Sequence, residues 1–351
     1  MTKRAETRPS GPSIADVARE AGVATSTVSR ALTIPGRIAE PTRLRVEAAA
    51  RKLGYTANQT ARNLRMGVPR TIMIVLPEEI YLGASQTVSE VLRATAQRLT
   101  ERGFSLLIAN VSREAEADEH ILTVAQGGTV SGVLLMATQI PEVRGLSLAD
   151  VGLPLVSLHF DLTAIGVPSV VSNDHDAIAA ATAELLKLGH RTFLYIRGRR
   201  DNYHEAERLR GVRDALTAAR IPKSALRLSQ GNFNFSGGIA AADKYLELEP
   251  GKRPTAVIGA NDDTAIGFMK TVLSRGLRIP EDLSVLGFDG AAVAAFMTPS
   301  LSTIQQDTAE LGRRAADLVI DVVLGEEPAD RRRIEVPCEI VLRDSVTARS
   351  G

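Results

Sequence analysis

A chain of 351 residues exceeds one ordinary domain, so two or three are expected, and 44% hydrophobic residues at a mean hydropathy of +0.01 supply their cores. No apolar run approaches the roughly 20 residues of a membrane span, and the polar, basic first twelve residues lack the apolar stretch of a secretory signal, which predicts a cytoplasmic protein. The net charge of +1 hides a split: residues 1–65 carry 12 Lys+Arg against 5 Asp+Glu and the remainder 30 against 36, so one end suits a polyanion.

Residues 1–12 read as a disordered tail. Residues 13–32, SIADVAREAGVATSTVSRAL, hold two short apolar-periodic segments either side of Ala21-Gly22-Val23. Ser13 is a suitable N-cap, and Ile14, Val17 and Ala18 share one face at helical spacing. Gly22 can take the positive φ of a tight turn. The second segment buries Val28, Ala31 and Leu32 and turns Thr25, Ser26, Ser29 and Arg30 outward. This is the layout of a DNA-binding helix-turn-helix, although an ordinary helical hairpin would share it. After the loop TIPGRIAEPT, Pro41 suits the first turn of a third helix and Gly54 its C-terminal cap. Leu44, Val46, Ala49, Ala50 and Leu53 supply its apolar stripe. Residues 55–70 lack an apolar face and read as a linker that becomes helical on binding.

From Thr71 onward apolar runs alternate with amphipathic segments. Strands are expected at 71–76, 104–110, 132–137, 153–159 and 169–173, then at 192–198, 226–232, 255–261, 283–289, 301–304 and 334–342. Helices are expected at about 85–102, 114–127, 176–189, 204–220, 236–248, 262–275 and 307–324. Continuous apolar strands alternating with helices imply parallel sheets covered on both faces. So many strands imply two doubly wound lobes. The single cysteine, Cys338, excludes an intrachain disulfide and a cysteine zinc finger, and it reads as a core residue.

Several segments resemble the LacI/GalR family of bacterial transcription regulators. They are IADVAREAGVATSTVSRAL, RLRVEAAARKLGY, ARNLR, LGHR (188–191), AERLRGVRDAL (206–216), GANDDTAIG (259–267), GLRIPEDLSVLGFD (276–289) and LSTIQQD (301–307). The resemblance spans nearly the whole chain. It implies a small all-α helix-turn-helix domain followed by an α/β two-lobed, periplasmic-binding-protein-like domain with two doubly wound parallel sheets. The domains expected are a helix-turn-helix at 13–56, a hinge helix and linker at 57–70, an effector and dimerisation domain at 71–343, and a tail at 344–351. The N-lobe would take 71–161 and 292–324, the C-lobe 162–291 and 325–343.

On this resemblance Thr25, Ser26 and Arg30 read the major groove, and Thr27 and Ser29 touch phosphates. The chemistry agrees, since arginine pairs bidentately with guanine and short hydroxyls reach phosphates or base edges. The family's usual Ser is Ala24 here, so the customary cap comes from elsewhere or is missing. Asn58, Ala61, Leu64 and Arg65 match the hinge helix, where Leu64 would wedge into the minor groove; a linker leucine packing on its own domain is the plain alternative. In the cleft, Arg208, Phe233, Asn261, Asp262 and Asp289 match the effector site. Asn261 and Asp262 would equally serve as caps of the next helix, and Phe233 as core. Where the family pattern is broken, Glu79 and Tyr81 after the first strand, and His159 or Asp161, are candidates to face the ligand.

The implied function is a ligand-responsive repressor. It binds a palindromic double-stranded operator as a homodimer, with a tetramer left open, under control of a small molecule, best a sugar or sugar derivative. No cofactor, metal ion, membrane or catalytic group is implied. A solute-binding receptor or a sugar-active enzyme would share the two-lobed fold. The basic first domain argues against the receptor, and no Walker loop, G-x-S-x-G elbow, H-E-x-x-H or Cys/His cluster supports an enzyme.

Overall fold

The computed structural model describes residues 12–33, 38–55, 69–77, 86–111, 115–326 and 332–349. The chain divides into two compact units, Met1–Pro69 and Arg70–Gly351. Several expectations lie outside the described residues: the tail to residue 11, the hinge residues Asn58, Ala61, Leu64 and Arg65, and Glu79 and Tyr81.

In the first unit the described residues form α1 (Ile14–Ala21), α2 (Thr25–Thr33) and α3 (Glu40–Leu53). Ser13 caps α1 in a reciprocal capping box with Asp16, and Gly22 ends the helix at φ 64°. Val17, Ala18, Ala21, Val28, Ala31, Val46, Ala49 and Ala50 form the core. Small residues at 18, 21, 31, 49 and 50 let three short helices approach closely. Leu44 does not join them and is 49% exposed. Positions 46, 49, 50 and 53 share one helical face, and Leu44, two residues before Val46, points to the opposite side.

In the second unit the described residues form two six-stranded sheets. In the first, β1 (Thr71–Pro77) pairs in parallel with β2 (Ser105–Val111) and β3 (Gly132–Met136). A short hairpin follows as β4 (Glu142–Val143) and β5 (Leu146–Ser147). β6 (Leu155–Leu158) and β7 (Ser169–Ser172) then extend the first sheet. Helices α4 (Gln86–Glu101) and α5 (Ala115–Gln126) lie between its strands. Ile72, Ile74 and Leu76 pack into one core and Met73 and Val75 into another. Both faces of β1 are therefore buried, which is why its sequence is an unbroken apolar run.

After α6 (Asp174–Lys187) the second sheet begins with β8 (Phe193–Arg197). It continues through α7 (Tyr203–Ala218), β9 (Leu226–Gln230), α8 (Phe235–Leu246), β10 (Ala256–Gly259), α9 (Asp262–Ser274), β11 (Ser284–Asp289) and β12 (Ser302–Gln306). The chain then returns to the first lobe through α10 (Thr308–Leu324), which packs on α4 and on the first sheet. β13 (Arg333–Val336) adds to β7 in the first sheet, while β14 (Cys338–Val341) pairs antiparallel with β12 in the second.

Three expectations are corrected here. Residues 334–342 are not one strand: Pro337 has no N–H for a ladder, so β13 ends before it and β14 starts in the other lobe. The lobes exchange at Asn173, Asp307 and Pro337 rather than near 161, 291 and 324. β7 and β13 belong to the first sheet and β12 to the second, because strand pairing, not chain continuity, decides lobe membership. Residues 344–349 are no loose tail. Ser345 is fully buried, donates to the Val285 carbonyl at 2.6 Å and accepts the Ser302 N–H at 2.7 Å.

Candidate DNA-binding surface and interlobe site

In the first unit Thr25, Ser26 and Arg30 are exposed, Thr27 and Ser29 half-buried, and Val28 and Ala31 buried. The helix thus anchors through one face and presents hydroxyls and a guanidinium on the other. Among the described residues Arg30 makes no hydrogen bond or ion pair, unlike Arg19, Arg43 and Lys52, which pair with Asp16, Glu47 and Glu20. Its five donors are available for a base edge. The Ala24 carbonyl accepts from Thr27 N at 2.9 Å and Val28 N at 3.1 Å, so Ala24 occupies the cap position. Alanine has no side-chain oxygen for the first-turn amides, and that helix end stays open to a phosphate.

In the second unit backbone strain concentrates at strand ends. Ala137, His159, Asn232, Phe233 and Asp289 adopt positive φ, with Asp289 at 111°. Each ends β3, β6, β9 or β11 or follows it by at most three residues. Strained non-glycine residues gather where side chains must be aimed, and C-terminal strand ends are where α/β sheets bind ligands.

Arg208, on α7, is the hub and is 2% exposed. Its Nε donates to Asp174 Oδ2 at 2.8 Å, Nη1 to the Ala260 carbonyl at 2.6 Å and Nη2 to Asp289 Oδ1 at 3.2 Å. The guanidinium lies 3.6 Å from the Phe288 ring centroid and 6.0 Å from that of Phe233. Burial opposes its charge, but Asp174 and Asp289 keep it protonated beyond even the usual arginine range. Burial alone would raise Asp174; Arg208 and then His204 overrule it and hold the carboxyl well below the usual range. Ser172 and His204 complete the shell of Asp174, with His204 Nδ1 at 2.7 Å. Burial raises Asp289 against the pull of Arg208.

Gln306 Nε2 donates to Asp289 Oδ1 at 2.8 Å, so the network runs from the first crossover, at Ser172–Asp174, to the second. The third crossover is stitched to the first, since Asn173 Oδ1 accepts the Cys338 N–H at 2.7 Å. Burial pushes the Cys338 thiol up, which keeps it protonated.

His159 reaches this network from the first lobe. Its ring meets that of His204 edge-on at 5.4 Å, and Phe160 meets Tyr203 at 5.2 Å. Burial, then the His204 charge, depress His159 to about 3, so it is neutral at physiological pH. Its Nδ1 is buried without a partner.

The remaining expected effector residues divide. Phe233 packs its ring over Gly198, where a Cβ would fall 2.0 Å from it, and so comes beside Arg208. Asn261 caps α9, accepting from Thr264 N at 3.0 Å, and its Nδ2 fixes the Phe233 carbonyl at 3.2 Å. Asp262 accepts from Thr303 Oγ1 at 2.6 Å and Ala291 N at 2.7 Å. Burial, then Asp289, push Asp262 up to about 7 and Asp263 up to about 6. Asp161 turns to its own lobe, meeting Thr163 Oγ1 at 2.6 Å and Arg333 at 2.8 Å. In this arrangement Asn261, Asp262 and Asp161 spend their polar atoms on scaffold contacts.

A cavity of about 710 Å3 opens beside the crossovers, and of the expected effector residues Asp289 lines it. Asp174, His204 and Gln306 are not among the residues expected from sequence: Asp174 precedes the helix expected at 176, and Gln306 belongs to LSTIQQD (301–307), a segment that points to no side-chain role by itself. Among the described residues no group of three or more His, Cys, Asp or Glu is placed to hold a metal ion, and no helix is long and apolar enough to cross a membrane.

Comparison with known proteins joins the two units. Residues 13–58 match the model "Bacterial regulatory proteins, lacI family", and residues 182–346 match "Periplasmic binding protein-like domain". The HTH-type transcriptional repressor PurR of Vibrio cholerae serotype O1 is 30% identical over 334 residues, 95% of this chain and 97% of that one. The HTH-type transcriptional repressor CytR of Escherichia coli K12 is 29% identical over 345 residues, 98% and 99% of the two chains. Among solved structures, the lac repressor dimer bound to operator and the anti-inducer ONPF aligns at a TM-score of 0.81 with 25% identity, covering 97% of this chain and all of that one. The transcriptional regulator CelR in complex with cellobiose aligns at 0.70 with 28% identity, covering 95% and 100%. With a helix-turn-helix followed by two wound lobes, and repressors rather than enzymes as its relatives, the chain belongs to the lacI family of bacterial regulatory proteins.

Proposed function

We propose that the protein represses transcription in the cytoplasm by binding a palindromic operator as a homodimer, and that a sugar or sugar derivative in the interlobe cleft sets its operator affinity. The observation that carries this is the Arg208 network: one buried guanidinium links two crossovers through Asp174, Asp289 and Gln306. A ligand that competes for Asp289 or approaches His159 changes what holds the lobes together, and a shift follows only if it favours one lobe arrangement over another. The cellobiose complex of CelR supports a carbohydrate.

Arg30, Thr25 and Ser26 read bases, Thr27 and Ser29 hold phosphates, and Asn58, Ala61, Leu64 and Arg65 engage the minor groove. Glu79 and Tyr81 join the ligand site. Exposed Phe235 and Ile239, one turn apart on α8, and exposed Val293 and Phe296 supply apolar surface for a second copy. The test is operator selection from random duplexes by the full chain, then titration of the selected duplex against a panel of sugars. A selected palindrome whose affinity changes with one sugar is expected. Failure to enrich any sequence, or an affinity indifferent to every ligand that binds, sinks the proposal.

A further inference from the structure

The cavity beside the crossovers has an unbalanced lining. Glu90, Asp289, Asp307 and Glu339 contribute carboxylates to it, and Arg343 the sole cation among its described lining residues. Arg343 already donates through Nη1 to the Leu301 carbonyl at 2.6 Å. The charge of Arg208, behind Asp289, is shared with Asp174. Gln306 also lines the cavity, is 5% exposed, and has spent its amide donor on Asp289, leaving Oε1 buried without a partner. Both bonds to Asp289 fall on Oδ1, which leaves Oδ2 as a second acceptor. A buried acceptor lacking a donor carries a desolvation cost that a bound donor relieves.

The cavity therefore presents acceptors and negative charge, and its occupant must bring donors and positive charge. We infer that the interlobe site takes a small ligand carrying a protonated amine beside its hydroxyls, as an amino sugar does, with the ammonium seated between Gln306 Oε1 and Asp289. Phosphorylated or acidic sugars meet four carboxylates against the single guanidinium of Arg343 in the described lining and are disfavoured. This deepens the reading of the cleft as the effector site and rests on it.

Calorimetry on the full chain with glucosamine, N-acetylglucosamine, glucose and glucose 6-phosphate tests it, since acetylation removes the charge and keeps the ring. Glucosamine is expected to bind tighter than the other three by about tenfold or more, and to weaken as salt rises. The double variant Glu90→Gln, Glu339→Gln alters two exposed side chains, so the fold is retained. It should weaken glucosamine severalfold and leave glucose unchanged, because the longer-range attraction of two carboxylates is lost while Gln306 and Asp289 remain, with an unchanged melting temperature. Equal binding of glucose or glucose 6-phosphate, indifference of glucosamine to the double variant, or no binding of glucosamine each overturns the inference. Operator titrations separate the two readings. Neutral sugars that alone bind and shift operator affinity refute the amine and leave the cleft reading standing. Glucosamine that binds without moving operator affinity supports the amine and refutes the regulatory role.

Discussion

His159 is a histidine that the fold keeps neutral, and the consequence is measurable. An unfolded histidine takes up a proton below about 6.5, whereas this one, buried beside His204, resists until about 3. Between those values the unfolded chain binds the extra proton, so this group costs stability progressively as pH falls from 6.5 toward 3 and nothing above that window. At pH 4.5 the cost is about 3 kcal/mol. His159→Gln should therefore lose less stability between pH 7 and 4.5 than the parent does in urea titrations. Parallel losses in the two proteins would remove the neutral-histidine account. Arg30 belongs to the same scale, being exposed on the polar face of α2 and without a partner among the described residues. Arg30→Ala should weaken binding to the selected operator by about 1–3 kcal/mol while barely affecting random duplex. Equal losses on both duplexes would assign Arg30 to phosphates instead.

Among the elements, the helices were the most legible from sequence. The α6 start moved only from 176 to 174, and α7 from 204 to 203, because apolar periodicity and polar caps act locally. The α4–α10 contact was not legible, since residues over two hundred positions apart meet there. At Gly312 a Cβ would fall 2.7 Å from the Val91 carbonyl oxygen and 3.0 Å from Thr95 N, both backbone atoms that cannot step aside. Gly312→Ala should destabilise the protein by about 1–3 kcal/mol in denaturant titrations. An unchanged midpoint would show that the two helices can separate freely. Pro337 is the counterpart: the apolar run on either side of it is continuous in sequence, but β13 and β14 pair in different sheets.

At the scale of the whole molecule, apolar surface without an internal partner needs an explanation. Phe296 is 85% exposed, the highest value among the described large hydrophobic residues. A large ring left in water in one copy is explained if a second copy covers it. Phe296→Asp should shift the protein toward monomer in light scattering and weaken operator binding, with ligand affinity retained. A variant that remains dimeric would move the interface elsewhere.

By itself the sequence determined the two-unit plan, the capped helix-turn-helix, the buried parallel strands and the family. Each depends on periodicity, caps and charge blocks that neighbouring residues impose. Arg208 and Asp289 were legible as candidates, because both lie in segments that carry the family resemblance, and the structure brings the two side chains into contact. Only the tertiary structure decided that Asp174, His204 and Gln306 close the network around them, that Asn261 and Asp262 serve the scaffold, and that Asp161 belongs to Arg333. It also decided where the lobes exchange. The physical reason is one of range. A hydrogen bond or ion pair between positions 174 and 208, or 289 and 306, depends on how two sheets and three crossovers stack, and no local pattern encodes that distance.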